Sequence, residues 1–244
     1  MLELPPLGAL ETALWDALLD IAERIPEGWT LIGGQMVLLH GLENDRVPPR
    51  VSEDLDLVVD VRVRPPVLKA MVAALEGLGF EDAGVSLDGV AHRFVRDRVS
   101  VDVLAPDGVG RRADLRTTAG GVTVEVGGGT FALERSGDVA VRVGHRRGSI
   151  PRPDLAGAIL IKAVAAKRDR KRGPDRHLRD LAFLLSVAGD PLGLRDELGA
   201  ANCRRVKGVA QLHDRDHEAW RVIEDPQTRT DGQATFALVC AGPR

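Results

Sequence analysis

The stretch "LIGGQMVLLHG", Leu31 to Gly41, followed by "SEDLDLVVD", Ser52 to Asp60, decides how this chain is read. In the first, an apolar run is broken by Gly33-Gly34 and resumes as a helix whose stop signal is Gly41. In the second, Leu55, Leu57 and Val59 fall on one face of a strand, and Asp54, Asp56 and Val58 on the other. Residues two apart in a strand point the same way, so the two aspartates stand roughly 7 Å apart at Cα. Charges beside Leu and Val are costly unless compensated, and a divalent cation with oxygen ligands is the usual compensation. A strand that ends in Gly-Gly and opens into a helix lets backbone N–H groups approach a phosphate, and the helix N-terminus adds partial positive charge there. Each feature has an ordinary alternative, a solvent-facing edge strand for the aspartates and a plain strand-to-helix turn for the glycines. Together they describe a phosphate cradle followed by a metal-binding carboxylate pair, the apparatus of phosphoryl chemistry.

A third carboxylate, Asp102, lies in "VSVDVLA" between Val101 and Val103, on a strand able to neighbour that of Asp54. This makes a D-x-D plus D triad, the competing reading being a structural pairing of Asp102 with Arg93 or Arg98.

Outward from this core, "PLGALETALWDALLDIAER" has helical apolar spacing and ends before Pro26-Glu27-Gly28, and "WTLI" reads as a short buried strand. "PPVLKAMVAALEGLGF" is expected as a helix, then "AHRFVRD" and "VSVDVLA" as two strands joined by a tight turn at Arg96-Asp97-Arg98. Residues 117–148 are glycine-rich with short β-like pieces, "GVTVEV" and "VAVRV", and carry no motif. After Pro153 the composition favours helix throughout, which sets expected domains of 1–150 and 151–244.

The bulk numbers admit this reading. At 244 residues, with 44% hydrophobic and 28% charged residues, the chain can bury a core and is neither disordered nor fibrous. Cys203 and Cys240 have no metal-type spacing, so neither a disulfide framework nor a zinc site is indicated. The N-terminal stretch carries acids rather than a basic n-region, and no run approaches a membrane span; a cytoplasmic protein is expected. A net charge of -3 gives no global attraction to nucleic acid, leaving local patches to supply it.

"GGQMVLLHG" with "RVSEDLDLVV", read across the polar loop between them, resembles the glycine and D-x-D motifs of the DNA polymerase β-like nucleotidyltransferases, and more narrowly those of the AbiEii/AbiGii toxins with their MenT-type members. The resemblance implies an α+β fold, a mixed sheet with helices followed by a C-terminal helical domain. It also implies that Gly33 and Gly34 hold a nucleoside triphosphate, that Asp54 and Asp56 bind Mg²⁺ or Mn²⁺, and that Asp102 is a further metal ligand and activates the attacking group. Lys162 interrupts the apolar run "AGAILIKAVAA", where a lysine without an anionic partner is costly. "LIKAVAAKRDRKRGPDRHLRDLAFLL" is similar to a further motif of the toxin group, which implies Lys162 as a phosphate contact and Asp180 as its companion. A lysine whose stem reaches the surface is the alternative for Lys162, and His177, one helical turn before Asp180, reads as structural.

The acceptor is expected to be tRNA. "KRDRKR", Lys167 to Arg172, and the loop "RVPPR" with Arg46 and Arg50 place basic charge where a polyanion could be steered, although a solvated helix end is an equally ordinary meaning. Aromatic residues make up 3%, with no Tyr, against a stacking platform for single strands. The expected activity is transfer of a nucleoside monophosphate to an acceptor hydroxyl by the toxin of a toxin–antitoxin pair, with an antitoxin protein as partner. A small-molecule nucleotidyltransferase is the first alternative and a non-catalytic nucleotide- or partner-binding module the second.

Overall fold

The structure, a computed structural model, describes residues 1–50, 52–62, 66–110, 113–168 and 175–242. The chain divides into two units: Met1–Met36 with Ser52–Pro153, and Val37–Val51 with Asp154–Arg244.

The first unit is organised by β2 (Trp29–Ile32), β3 (Asp54–Val59) and β6 (Val99–Pro106). All four residues of β2 are buried, as are Leu55, Leu57, Val101 and Val103, so the middle of the sheet is covered on its apolar side. The strand order is β2-β3-β6-β5-β4, where β4 is Glu81–Asp82 and β5 Arg93–Arg96; β7 (Glu125–Val126) pairs with the far end of β6. The β3–β6 pair is parallel and its neighbours β2–β3 and β5–β6 are antiparallel, so the sheet is mixed. The hairpin between β5 and β6 closes through Asp97-Arg98, with Arg96 opposite Val99. Asp97 adopts φ 52°, a left-handed conformation that Asp tolerates and that two-residue hairpins require.

Helix α1 (Ala9–Arg24) buries Leu14, Trp15, Leu18 and Ile21, and α3 (Pro66–Gly77) buries Leu68, Met71 and Leu75. A second sheet has the order β1-β8-β9, from Leu2–Glu3, Ser136–Val143 and Arg146–Pro153. The sequence pattern shows "VAVRV" inside β8 but conceals β9, whose "RRGSIPRP" contains a glycine and two prolines. Such a strand is tolerated because β9 is the edge of its sheet, where a missing N–H breaks no second ladder. The expected domain limit at 150 falls within this strand, and the unit ends at Pro153. The short α4 (Gly129–Glu134) is likewise hidden in the glycine-rich region.

The second unit is helical: α5 (Leu155–Arg168), α6 (Asp175–Ser186), α7 (Pro191–Lys207), a 3-10 turn at Ala210–His213, α8 (Glu218–Arg221) and α9 (Pro226–Ala241). Asp154, Asp190 and Asp225 accept from the backbone N–H groups of Gly157, Gly193 and Thr228, capping the starts of α5, α7 and α9. This unit also takes the C-terminal half of α2 (Gly33–Leu42) and the loop after it, which the sequence assigned to the first domain. The physical reason is local packing: Gly41 lies against the Phe183 ring, where a Cβ would stand 3.0 Å from Cζ, and Arg46 donates to Thr228. Cys203 and Cys240 are both free, and burial raises the Cys240 thiol to about 11. Among the described residues no helix is long and apolar enough to cross a membrane.

Leu57 is fully buried at the centre of the main sheet. Leu57→Ala is expected to cost about 2–5 kcal/mol, read as a lower urea midpoint with unchanged slope.

Candidate active site

The glycine turn and the carboxylate strand are built against each other. β2 ends at Ile32 and α2 begins at Gly33 with no intervening loop; Gly33 makes the turn at φ +74°, in the left-handed region. A Cβ on Gly33 would overlap the Asp56 carboxylate, and one on Gly34 would overlap the Ser52 side chain. Gln35, buried in the first turn of α2, donates through Nε2 to the Ser52 carbonyl at 2.6 Å. Glycine is therefore needed here twice, for the turn and for the closeness of the strand beside it. Ser52 also donates its hydroxyl to Asp54 Oδ1. The sequence reading passed over Ser52, although its place two residues before Asp54, on the same side of an extended chain, was the available signal.

Asp54, Asp56 and Asp102 share one face of the sheet. The parallel register of β3 and β6 sets Asp56 opposite Asp102 and Asp54 opposite Ser100. The antiparallel register of β5 and β6 sets Arg93 opposite Asp102 on its other side. Arg93 donates from Nε to Asp102 Oδ1 and from Nη2 to Oδ2, both at 2.7 Å, and its Nη2 lies 3.9 Å from Asp54 Oδ2. The hydrogen bonds to Asp102 hold the Arg93 guanidinium above its ordinary pKa, with attraction from Asp54 and Asp56 adding to this. His92 Nε2 stands 3.8 Å from Asp102 Oδ2. Asp102, expected as the third carboxylate of the triad, makes a forked ion pair with Arg93, one of the two pairings that the sequence left open. The cause is the two-residue hairpin, which fixes the register that makes the two residues opposite.

Asp54 and Asp56 are hard oxygen donors of the type that suits Mg²⁺ or Mn²⁺. Among the described residues no three His, Cys, Asp or Glu side chains are grouped as a ready-made metal centre. Two carboxylates without a closed cage are what a Mg²⁺ site completed by water and substrate phosphates offers.

Lys162 and Asp180 come together within the second unit. Lys162 Nζ donates to Asp180 Oδ2 at 2.7 Å, with both side chains about as inaccessible as core residues, at 4% and 3%. Arg50 Nε lies 3.4 Å from the other oxygen, Oδ1, so one buried carboxylate serves two cations. Lys162 does not reach the surface along its stem as an unpartnered lysine would. Arg50, read from sequence as steering charge, has this structural tie as well; no spacing could have shown it. His177 is half-buried, with its Nε2 accepting from Arg176 at 3.2 Å. In the basic run, residues 169–172 lie outside the described residues, and Lys167 and Arg168 are exposed.

The mixed sheet with its aspartate-bearing strands and the helical part that follows form an α+β fold of the polymerase β-like kind, and the comparisons agree. The family model described as "Nucleotidyl transferase AbiEii toxin, Type IV TA system" matches residues 21–236. The chain belongs to this family and is a nucleotidyltransferase. Among solved structures, that of the antibiotic-resistance factor ANT(2'')-Ia superposes with a TM-score of 0.51 at 15% identity, covering 85% of this chain and 98% of that one. At that identity the likeness concerns the fold. No curated protein matches the chain in sequence.

Gly33→Ala is expected to cost at least ~1–2 kcal/mol for the left-handed backbone alone, seen as a lower melting temperature, and to displace Asp56. For the buried ion group an asymmetry is expected. Asp180→Ala strands two cations and should destabilise by about 3–5 kcal/mol. Lys162→Met leaves Asp180 paired with Arg50 and should cost clearly less; equal losses in urea unfolding would contradict the shared-carboxylate arrangement.

Proposed function

We propose that the protein transfers a nucleoside monophosphate from an NTP to an acceptor hydroxyl of tRNA, with Mg²⁺ or Mn²⁺ as cofactor. In this reading it acts in the cytoplasm as the toxin of a toxin–antitoxin pair held in check by a cognate antitoxin protein. The observation that carries this is the single face bearing Asp54 and Asp56 directly beside the Gly33-Gly34 turn.

Gly33 and Gly34 would receive the triphosphate at the start of α2, where backbone N–H groups lack helical partners and the helix end favours anions. Asp54 and Asp56 would hold the divalent ion. When bound, that ion supplies charge neutralisation to the phosphates and to the pyrophosphate that leaves. Ser52 orients Asp54 through its hydroxyl. In this scheme Asp102 accepts the acceptor's proton, and to do so one of its oxygens must exchange Arg93 for the hydroxyl. Arg93, freed from part of that pair, remains beside Asp54 as a cation for the triphosphate. Lys162 is a phosphate contact in this scheme, with Asp180 fixing its ammonium.

The test is incubation of the protein with Mg²⁺, each α-labelled NTP in turn, and total tRNA. Label is expected in RNA, and Asp56→Asn is expected to lower incorporation by at least roughly a hundredfold, the upper end for loss of a mere outer-sphere partner of a metal. Label that appears on an added aminoglycoside instead would move the acceptor to a small molecule. Nucleotide binding with no pyrophosphate release would refute transfer altogether.

A further inference from the structure

The helical unit contains a cavity of about 600 Å³ whose lining contrasts with the chain as a whole. Arg46 and Arg50 enter it from the loop after α2, Arg179 and Phe183 from α6, Arg221 from α8, and Thr228 from the first turn of α9. Four arginines face two acids there, Glu224 and Asp225, an excess of positive charge in a chain of net charge -3.

These guanidinium groups are only partly satisfied. Arg46 is held by Thr228 and lies 3.7 Å from Asp225, and Arg179 pairs with Glu218. Arg50 faces a carboxylate that Lys162 already engages. The buried Nε of Arg179 has no hydrogen-bond partner among the described residues, and the Nε of Arg50 has only the 3.4 Å ion-pair contact with Asp180 Oδ1. Arg221 is exposed, and its guanidinium makes no ion pair or hydrogen bond among the described residues. Buried donors without acceptors raise the free energy of the empty cavity, and a ligand that brings anionic oxygens removes that cost. The planar guanidinium fork matches phosphate in particular. The remaining wall is apolar, with Phe183, Val222 and Ile223, and the volume lies within the range of pockets for small ligands, so a flat base has room beside the arginines.

We propose that this cavity binds a nucleotide unit of the acceptor RNA, its phosphate on the arginines and its base against the Phe183 wall. The proposal rests on the RNA-acceptor reading above and goes beyond it by assigning a binding site within Val37–Val51 and Asp154–Arg244. It distinguishes acceptor from donor: the donor's phosphates belong to Gly33-Gly34 in the first unit, and this cavity has no carboxylate pair of the Asp54–Asp56 kind.

The experiment is equilibrium binding of fluorescently labelled tRNA to the full chain across a salt series, with wild type, R221Q, R179Q and R204Q compared. Arg221 has no partner to lose, so R221Q should fold as wild type does, while exposed Arg204 on α7 lies outside the cavity and controls for the same change in net charge. R221Q and R179Q are each expected to weaken tRNA binding roughly tenfold, the loss of one charge-assisted hydrogen bond. Each should also make the log–log salt slope shallower by about 0.7–0.9, one phosphate contact. R204Q should leave both unchanged, and NTP binding should be the same in all four proteins. tRNA binding by R221Q and R179Q that matches R204Q overturns the proposal while the acceptor reading stands. Weaker NTP binding in R221Q overturns it in favour of a donor site. If wild type binds no tRNA, the RNA-acceptor reading falls and the cavity assignment falls with it.

Discussion

β6 runs parallel to β3 on one side and antiparallel to β5 on the other, so Asp102 stands in a row across the sheet between Asp56 and Arg93. Two carboxylates on adjacent strands repel, and a guanidinium on the third strand offsets that repulsion. The same register brings Arg93 within 3.9 Å of Asp54, so one cation serves the whole acidic face. The face remains acidic on balance, with three aspartates to one arginine. That leaves part of the counter-charge to be supplied by what binds, as the proposed divalent ion would.

The glycine turn completes that arrangement by steric means. Backbone at Gly33 and Gly34 comes so close to Asp56 and Ser52 that side chains are excluded on both glycines. What the two residues provide is proximity: the start of α2, with its unsatisfied N–H groups, is brought to the metal-type carboxylates. The two glycines and the two aspartates that the proposed function assigns to phosphate and cation therefore lie at one place on β2, α2 and β3.

In the helical unit the organising element is a single carboxylate. Asp180 is buried between buried Lys162 and half-buried Arg50, and a carboxylate in the core is tolerated there because each of its oxygens meets a cation. Arg50 comes from the loop after α2 and Lys162 and Asp180 from α5 and α6, so this contact, with Gly41 beneath Phe183 and Arg46 on Thr228, explains why Val37–Val51 clusters with the helices. The same two arginines, Arg46 and Arg50, also line the cavity, together with Arg179 and Arg221.

Much of the site was legible because its cues are local. Alternation in "DLDLVV" determined which side of β3 carries Asp54 and Asp56, since side chains alternate strictly along a strand. Gly-Gly after "WTLI" determined the turn into α2, and the lysine in an apolar helix announced a buried partner. What depends on contacts between distant segments was not legible. Edge β9, with its prolines, has no pattern of its own and exists because β8 pairs with it. The ion pair of Arg93 with Asp102, the bond from Ser52 to Asp54 and the tie of Arg50 to Asp180 depend on register and packing, which sequence spacing leaves open. The sequence by itself therefore determined the residue types of the chemistry and the faces they occupy. Only the tertiary structure decided which charges neutralise one another, because that depends on distances of a few ångströms between segments far apart in the chain.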